Sequence, residues 1–163
     1  MTSHQQYFSN PYDINFTGFY FENLEEFHEQ MEKAPFEEVE IDYIDGDNPQ
    51  LFEAAGISQG NIDTWFDELE DIADDDDAAI AIRYLLDTGY SLEDAIAKHE
   101  DVMIWHGSAE DYAADLVEQT TDTSNFGWLG SYIDYASIAR DMQLNSEITE
   151  VEHDIWVVNC NEF

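Results

Sequence analysis

Positive charge is almost missing from this chain. Of 163 residues only Lys33, Arg83, Lys98 and Arg140 are basic, against 39 Asp and Glu, a formal net of -35. Affinity for nucleic acid or for an anionic membrane comes from cations that neutralise phosphates. The composition therefore excludes direct binding to either and implies a basic partner. Self-repulsion of this size destabilises a compact state and demands a compensating reason. Cysteine is equally scarce. A single thiol, Cys160, allows no intramolecular disulfide, which fits a reducing, cytoplasmic compartment. Its place near the end of an apolar run makes it a buried, unreactive residue by expectation. No apolar run approaches the length of a membrane span. The opening "MTSHQQYFSNPYD" lacks a basic region followed by an apolar one, so no signal peptide is expected.

The residues that carry chemistry are not grouped as chemistry requires. His4, His28, His99, His106 and His153 form no H-x-x-x-H pair, and none stands beside a ligand cysteine. A zinc site is not expected from such spacing. A calcium loop needs Gly at its sixth position and acids at alternate positions before it. Placing Gly46 sixth puts Ile41 first, and that pattern fails. The four consecutive aspartates Asp74–Asp77 point in different directions on a helix and do not converge on one ion. "HGS" (His106–Ser108) pairs a base with a hydroxyl, but Ser108 is better explained as a helix N-cap. No glycine-rich phosphate loop exists. We expect no catalytic residue, no metal, no cofactor and no enzyme.

What the chain does have is material for a core. Hydrophobic residues make up 44% and aromatics 14%, whereas disordered acidic chains are poor in aromatics. "INFTGFYF" (Ile14–Phe21) reads as a strand paired with one that includes Tyr7 and Phe8. A helix starts at Asn23, with Leu24, Phe27 and Met31 at helical spacing and Pro35 ending it. "EEVEIDYID" alternates, with Val39, Ile41 and Tyr43 on one face and Glu38, Glu40 and Asp42 on the other. Residues 61–100 read as all-helical, Ile62, Trp65, Phe66, Leu69 and Ile72 forming an apolar stripe. Gly89 reads as a C-cap, and Ser91 with Asp94 resembles a capping box. Asp101–His106 is expected as a strand. A helix capped by Ser108 follows, with Tyr112, Ala113 and Leu116 inward. "IDYASIARDM" reads as a helix and "DIWVVNC" as a closing strand. The fold class is α+β, in three small modules: 1–60 (α+β), 61–101 (helical) and 102–163 (α+β). No repeat is visible, and no linker rich in Pro, Gly or Ser separates the modules.

The acids run along all three. Residues 1–60 hold 13 acids and one base, 61–101 hold 14 and two, and 102–163 hold 12 and one. An appended acidic tail would form a block at one end; this is a distributed surface. On it we place Glu38, Glu40 and Asp42 of the strand. Asp63, Asp67, Glu70, Asp71 and Asp74 make a second helical stripe. Asp75, Asp76 and Asp77 sit at a helix start, where the macrodipole favours anions. Asp87, Glu93, Asp94, Glu110, Asp111, Asp115 and Glu118 continue the series. Duplex DNA carries one negative charge per ~1.7 Å, so 35 charges correspond to roughly 60 Å of duplex. A compact sphere of this length would be only about 40 Å across. An elongated row of modules would relieve repulsion and match the linear charge density of DNA, and two chains end to end would match about 35 base pairs.

The stretch "LLDTGYSLEDAIAKHEDVMIWHGSAEDYAADLVEQ", followed by "YIDYASIARDM", resembles the ArdA-type antirestriction proteins. The likeness covers about Leu85 to Leu144 and is looser over Tyr7–Phe21, where "PYDINFTGFYF" departs from the family's first hairpin. The resemblance implies a DNA mimic carried by mobile genetic elements in a bacterial host. Such proteins bind the methyltransferase core of type I restriction–modification enzymes in place of DNA. It also implies an elongated three-domain homodimer joined through its C-terminal domain. The antirestriction segment, near the dimer contact, would fall around Thr121–Tyr135. There Phe126, Trp128, Leu129 and Tyr132 are candidates for a self-contact, or else belong to the core of one protomer. Two other classes fit the composition: a salt-adapted acidic protein, and an acidic binder of basic DNA-packaging proteins.

Overall fold

The computed structural model describes residues 5–163; His4 and the first residues of the stretch read for a signal peptide lie outside them. The fold is mixed α+β and divides into two compact units, Met1–Ala97 and Lys98–Phe163.

In the first unit, β1 (Gln6–Pro11) lies between β2 (Phe19–Phe21) and β3 (Val39–Asp45) in an antiparallel sheet. β2 is much shorter than the strand expected from Ile14. Asp13 turns the chain instead: its carboxylate accepts from the Asn15 amide at 3.0 Å, and its carbonyl from the Phe16 amide at 3.2 Å. This Asx turn leaves Ile14 96% exposed. Local side-chain bonding has overridden the apolar pattern. Helix α1 (Leu24–Lys33) begins where Asn23 caps the Glu26 amide at 2.8 Å.

Helix α2 (Pro49–Ala54) is an element the apolar periodicity did not reveal. Its signal is Pro49 at the first turn, a position where a missing N–H costs nothing. It buries Leu51 and Phe52. Residues 61–101 are helical as expected, in α3 (Ile62–Thr64), a π-helical turn (Trp65–Leu69), α4 (Glu70–Ile72), α5 (Asp76–Asp87), α6 (Leu92–Lys98) and a 3-10 turn at His99–Asp101. Gly89 follows α5 at φ +108°, a backbone that glycine adopts without strain.

The helices of this unit share a core with the sheet. The Trp65 indole N–H donates to the Tyr7 hydroxyl at 2.6 Å, and that hydroxyl donates to the Gln5 side chain. Asn48 donates to the Ala73 carbonyl at 2.8 Å. Burial pushes the Tyr7 hydroxyl well above the ordinary tyrosine range, against the opposing pull of the Trp65 bond. Tyr7 therefore stays neutral and relays a hydrogen bond from Trp65 to Gln5 within the buried centre.

In the second unit β6 (Ile155–Val157) is flanked by β4 (Ile104–His106) and β5 (Thr149–Glu152), all antiparallel. Asp101–Met103 are not strand, since the 3-10 turn takes Asp101. β5 had no separate signal. Helix α7 (Ala109–Thr120) is capped by Ser108, which accepts from the Asp111 amide at 3.1 Å. Helix α8 (Tyr135–Leu144) is capped by Asp134 accepting from the Ser137 amide at 3.0 Å. Between them Thr123–Tyr132 winds as 3-10 turns broken at Gly127, φ +54°. The core is built on Ala109, Ala113, Ala139, Ile148 and Trp156, with Trp105, Tyr112 and Met142 packed against it.

Candidate acidic docking surface

The acids stand where the secondary structure can hold them. Helices α1, α5, α6 and α7 each carry an adjacent acidic pair in the first turn: Glu25 and Glu26, Asp76 and Asp77, Glu93 and Asp94, Glu110 and Asp111. Unsatisfied N–H groups and the positive end of the macrodipole lie there, worth about 0.3–1 kcal/mol per anion. Part of the cost of self-repulsion is thereby offset locally. Asp75 itself caps α5, accepting from the Asp77 and Ala78 amides at 2.9 and 3.3 Å. Ser91 accepts from the Asp94 amide at 3.2 Å.

None of the eighteen acids named from the sequence is buried. Fourteen are exposed, and Asp42, Glu70, Asp77 and Asp115 are partly so. Glu38, Glu40 and Asp42 follow the alternation along the sheet, with Val39 and Ile41 inward. Asp63 lies 3.5 Å from the His28 ring. Asp115 accepts from the Gln119 side chain at 2.8 Å. Asp67, Asp71, Asp74, Asp87 and Glu118 are exposed on or beside their helices.

Glu70 departs from the stripe. Its amide bonds the Trp65 carbonyl five residues back, a π-helical step that inserts one residue into the turn. Counting at 100° per residue then overshoots, and Glu70 comes round to a half-buried position in the field of Tyr7 and Tyr43. Burial raises its carboxyl above the ordinary range, and Asp71 and Asp74 raise it further. In the second unit Tyr112 is raised by burial and then by Asp115 and Glu147. Glu147 was not singled out by sequence. Asp122 and Asp134 were also missed. Hydrogen bonds from Ser124 and Ser137 hold both below the usual carboxylate range.

The four apolar residues of the 3-10 segment are on the surface. Phe126 is 42%, Trp128 74%, Leu129 54% and Tyr132 73% exposed. Trp128 and Tyr132 meet edge to face at 5.7 Å, so the two rings pack on each other outside the buried core.

Among the described residues, one grouping brings three metal-ligand types together, Glu150, His153 and Asp154 at the β5–β6 turn, all exposed. Asp74–Asp77 are in no such grouping. Ser108 is engaged as a cap, and Cys160 is half-buried with its thiol 3.3 Å from the Val157 carbonyl. Among the described residues no helix is long and apolar enough to cross a membrane. No protein-family model, no curated protein and no solved structure matches this chain.

Proposed function

We propose that this protein is a DNA mimic that occupies the DNA groove of a type I restriction–modification enzyme, at its methyltransferase core, and so blocks restriction and with it modification. The observation that carries this is the placement of the acids: eighteen named carboxylates without one buried, set on or beside helices and along a paired strand, in a chain with four Lys and Arg. Arg and Lys grip carboxylates by the same charge-assisted hydrogen bonds they make to phosphates. Anions already fixed on helices lose little freedom when a groove closes on them. The resemblance of Leu85–Leu144 to ArdA-type proteins supports the same target. The proposed assembly is an elongated homodimer of three small modules, 1–60, 61–101 and 102–163, in the cytoplasm of a bacterial host. Phe126, Trp128, Leu129 and Tyr132 supply the self-contact, which accounts for four large apolar side chains exposed on one short segment.

The deciding experiment is displacement of a labelled duplex from a purified type I methyltransferase. The protein competes at low salt, and its affinity falls steeply as counterions return, as it does for DNA. Undiminished binding at ~0.5 M salt removes groove occupancy. Failure to fold at low salt would instead mark a salt-adapted surface. Preference for a histone-like protein over the methyltransferase would mark a binder of DNA-packaging proteins. Trp128→Asp yields monomers with an unchanged fold. Sedimentation showing an intact dimer takes that ring out of the contact.

A further inference from the structure

The wet face of the first unit's sheet is not uniformly acidic. Side chains alternate along a strand. With Tyr7, Ser9, Phe21 and Ile41 buried, the other face carries Phe8, Tyr20, Glu40 and Asp42. Register sets three of these in one row: Tyr20 opposite Phe8, and Phe8 opposite Asp42. The adjacent row sets Asn10 opposite Glu40. The Phe8 and Tyr20 rings lie 4.8 Å apart at 55°, and Tyr20 is 59% exposed. Gly18 makes the arrangement possible. A Cβ there would stand 1.9 Å from the Ser9 carbonyl oxygen and 2.8 Å from the Phe8 ring. Any side chain would push β2 from β1 or drive the ring away.

We propose that this row is a binding site for arginine side chains of a protein partner. A guanidinium lies against the Phe8 and Tyr20 rings, its N–H fork is held by Asp42, and Glu40 adds a second carboxylate one row away. The cation is chosen by chemistry. A planar, weakly hydrated guanidinium stacks on rings and bonds a carboxylate in a fork, whereas an ammonium is compact and strongly hydrated. Carboxylates alone attract both; a ring contact adds about two- to five-fold at an exposed site, and the planar guanidinium, which can stack on the rings while its fork bonds the carboxylate, gains more of it than an ammonium. The acidic face repels nucleic acid, so the arginine comes from a protein. A second copy is a poor source, since the chain has only Arg83 and Arg140, and Arg83 donates to the Gln50 side chain at 2.8 Å. The site rests on the reading that the partner is a cationic protein surface, and it specifies which cation that surface presents here.

The test uses the full chain and two blocked peptides, hexa-arginine and hexa-lysine, titrated at one fixed salt concentration. Arginine binds several-fold more tightly, and its peptide shifts the Phe8 and Tyr20 ring protons where the lysine peptide does not. Tyr20→Thr, which keeps a strand-forming residue, erases most of that preference and leaves lysine binding unchanged. Asp42→Asn weakens both, arginine more. Equal affinities, unmoved ring protons, or a preference that survives Tyr20→Thr in a folded protein would overturn the site. The two proposals separate cleanly. Arginine preference without displacement of DNA from the methyltransferase leaves this site standing and removes the mimic. Displacement by a wild-type protein that shows no arginine preference does the reverse.

Discussion

In the unit that ends at Ala97, Tyr7 stacks on Phe21 at 5.4 Å and meets Tyr43 and Phe66 edge-on at 5.2 Å, while Trp65 meets Phe52 at 5.1 Å. In the unit that begins at Lys98, the buried apolar residues are three alanines with Val102, Ile148, Trp156 and Val157. The second unit does not lack aromatic residues. It carries Phe126, Trp128 and Tyr132 outside, on a segment with no buried residue. Alanine at Ala109, Ala113 and Ala139 lets α7 and α8 approach closely, so fewer rings are needed to fill the interior. Similar acidic surfaces thus sit on two interiors with different uses for their aromatic residues. The first buries more of its rings; the second packs Trp105, Tyr112 and Trp156 in its interior but leaves Phe126, Trp128 and Tyr132 exposed on one short segment.

The largest expected effect breaks the first interior. Trp65→Ala removes a fully buried ring that also donates to Tyr7, and costs about 3–5 kcal/mol in chemical denaturation. A cost near 1 kcal/mol would mean that the aromatic centre collapses around the gap. A finer comparison contrasts the two buried tryptophans. The Trp65 N–H is bonded to Tyr7, whereas the Trp156 N–H is buried with no acceptor among the described residues. Trp65→Phe leaves the Tyr7 hydroxyl short of a donor, but Trp156→Phe removes an unsatisfied group. The first should therefore cost more than the second by about 1–2 kcal/mol. Equal costs would show that an acceptor, such as a water, serves Trp156.

The smallest effect concerns charge. Glu70 has its carboxyl raised by burial and by Asp71 and Asp74, so folding favours its protonated form. Its contribution to stability is full below the ordinary value of 4.5 and is lost as pH rises through the raised one. Glu70→Gln should stabilise the first unit at neutral pH by less than about 1 kcal/mol, solvent screening included. The gain should vanish in melts below pH 4.5. A gain that persists there would assign the effect to packing rather than charge.

Features set within a few residues were legible. Asn23, Ser108 and the aspartates before α5 announced their helices because a cap is a bond between near neighbours. The alternation through Val39 and Ile41 placed Glu38, Glu40 and Asp42 on the wet side for the same reason. Ile14 misled, because apolar content suggested a strand while Asp13 had already bent the chain. Helix α2 was overlooked, since Asn48–Pro49 marks a helix start as readily as a loop. β5 escaped because its burial is partial and its residues are mostly exposed.

The amino-acid order by itself determined that this chain has material for a core and that its carboxylates stay out of that core, because burying so many unpaired charges is prohibitive. Tertiary structure alone decided which rings became core and which stayed out, since Trp65 and Trp128 are alike in composition and differ only in what packs against them. It also decided that Glu70 turns inward and that Phe8, Tyr20 and Asp42 share one row. A π-helical step and a strand register are set by long-range packing, which no local pattern of charge or hydropathy records.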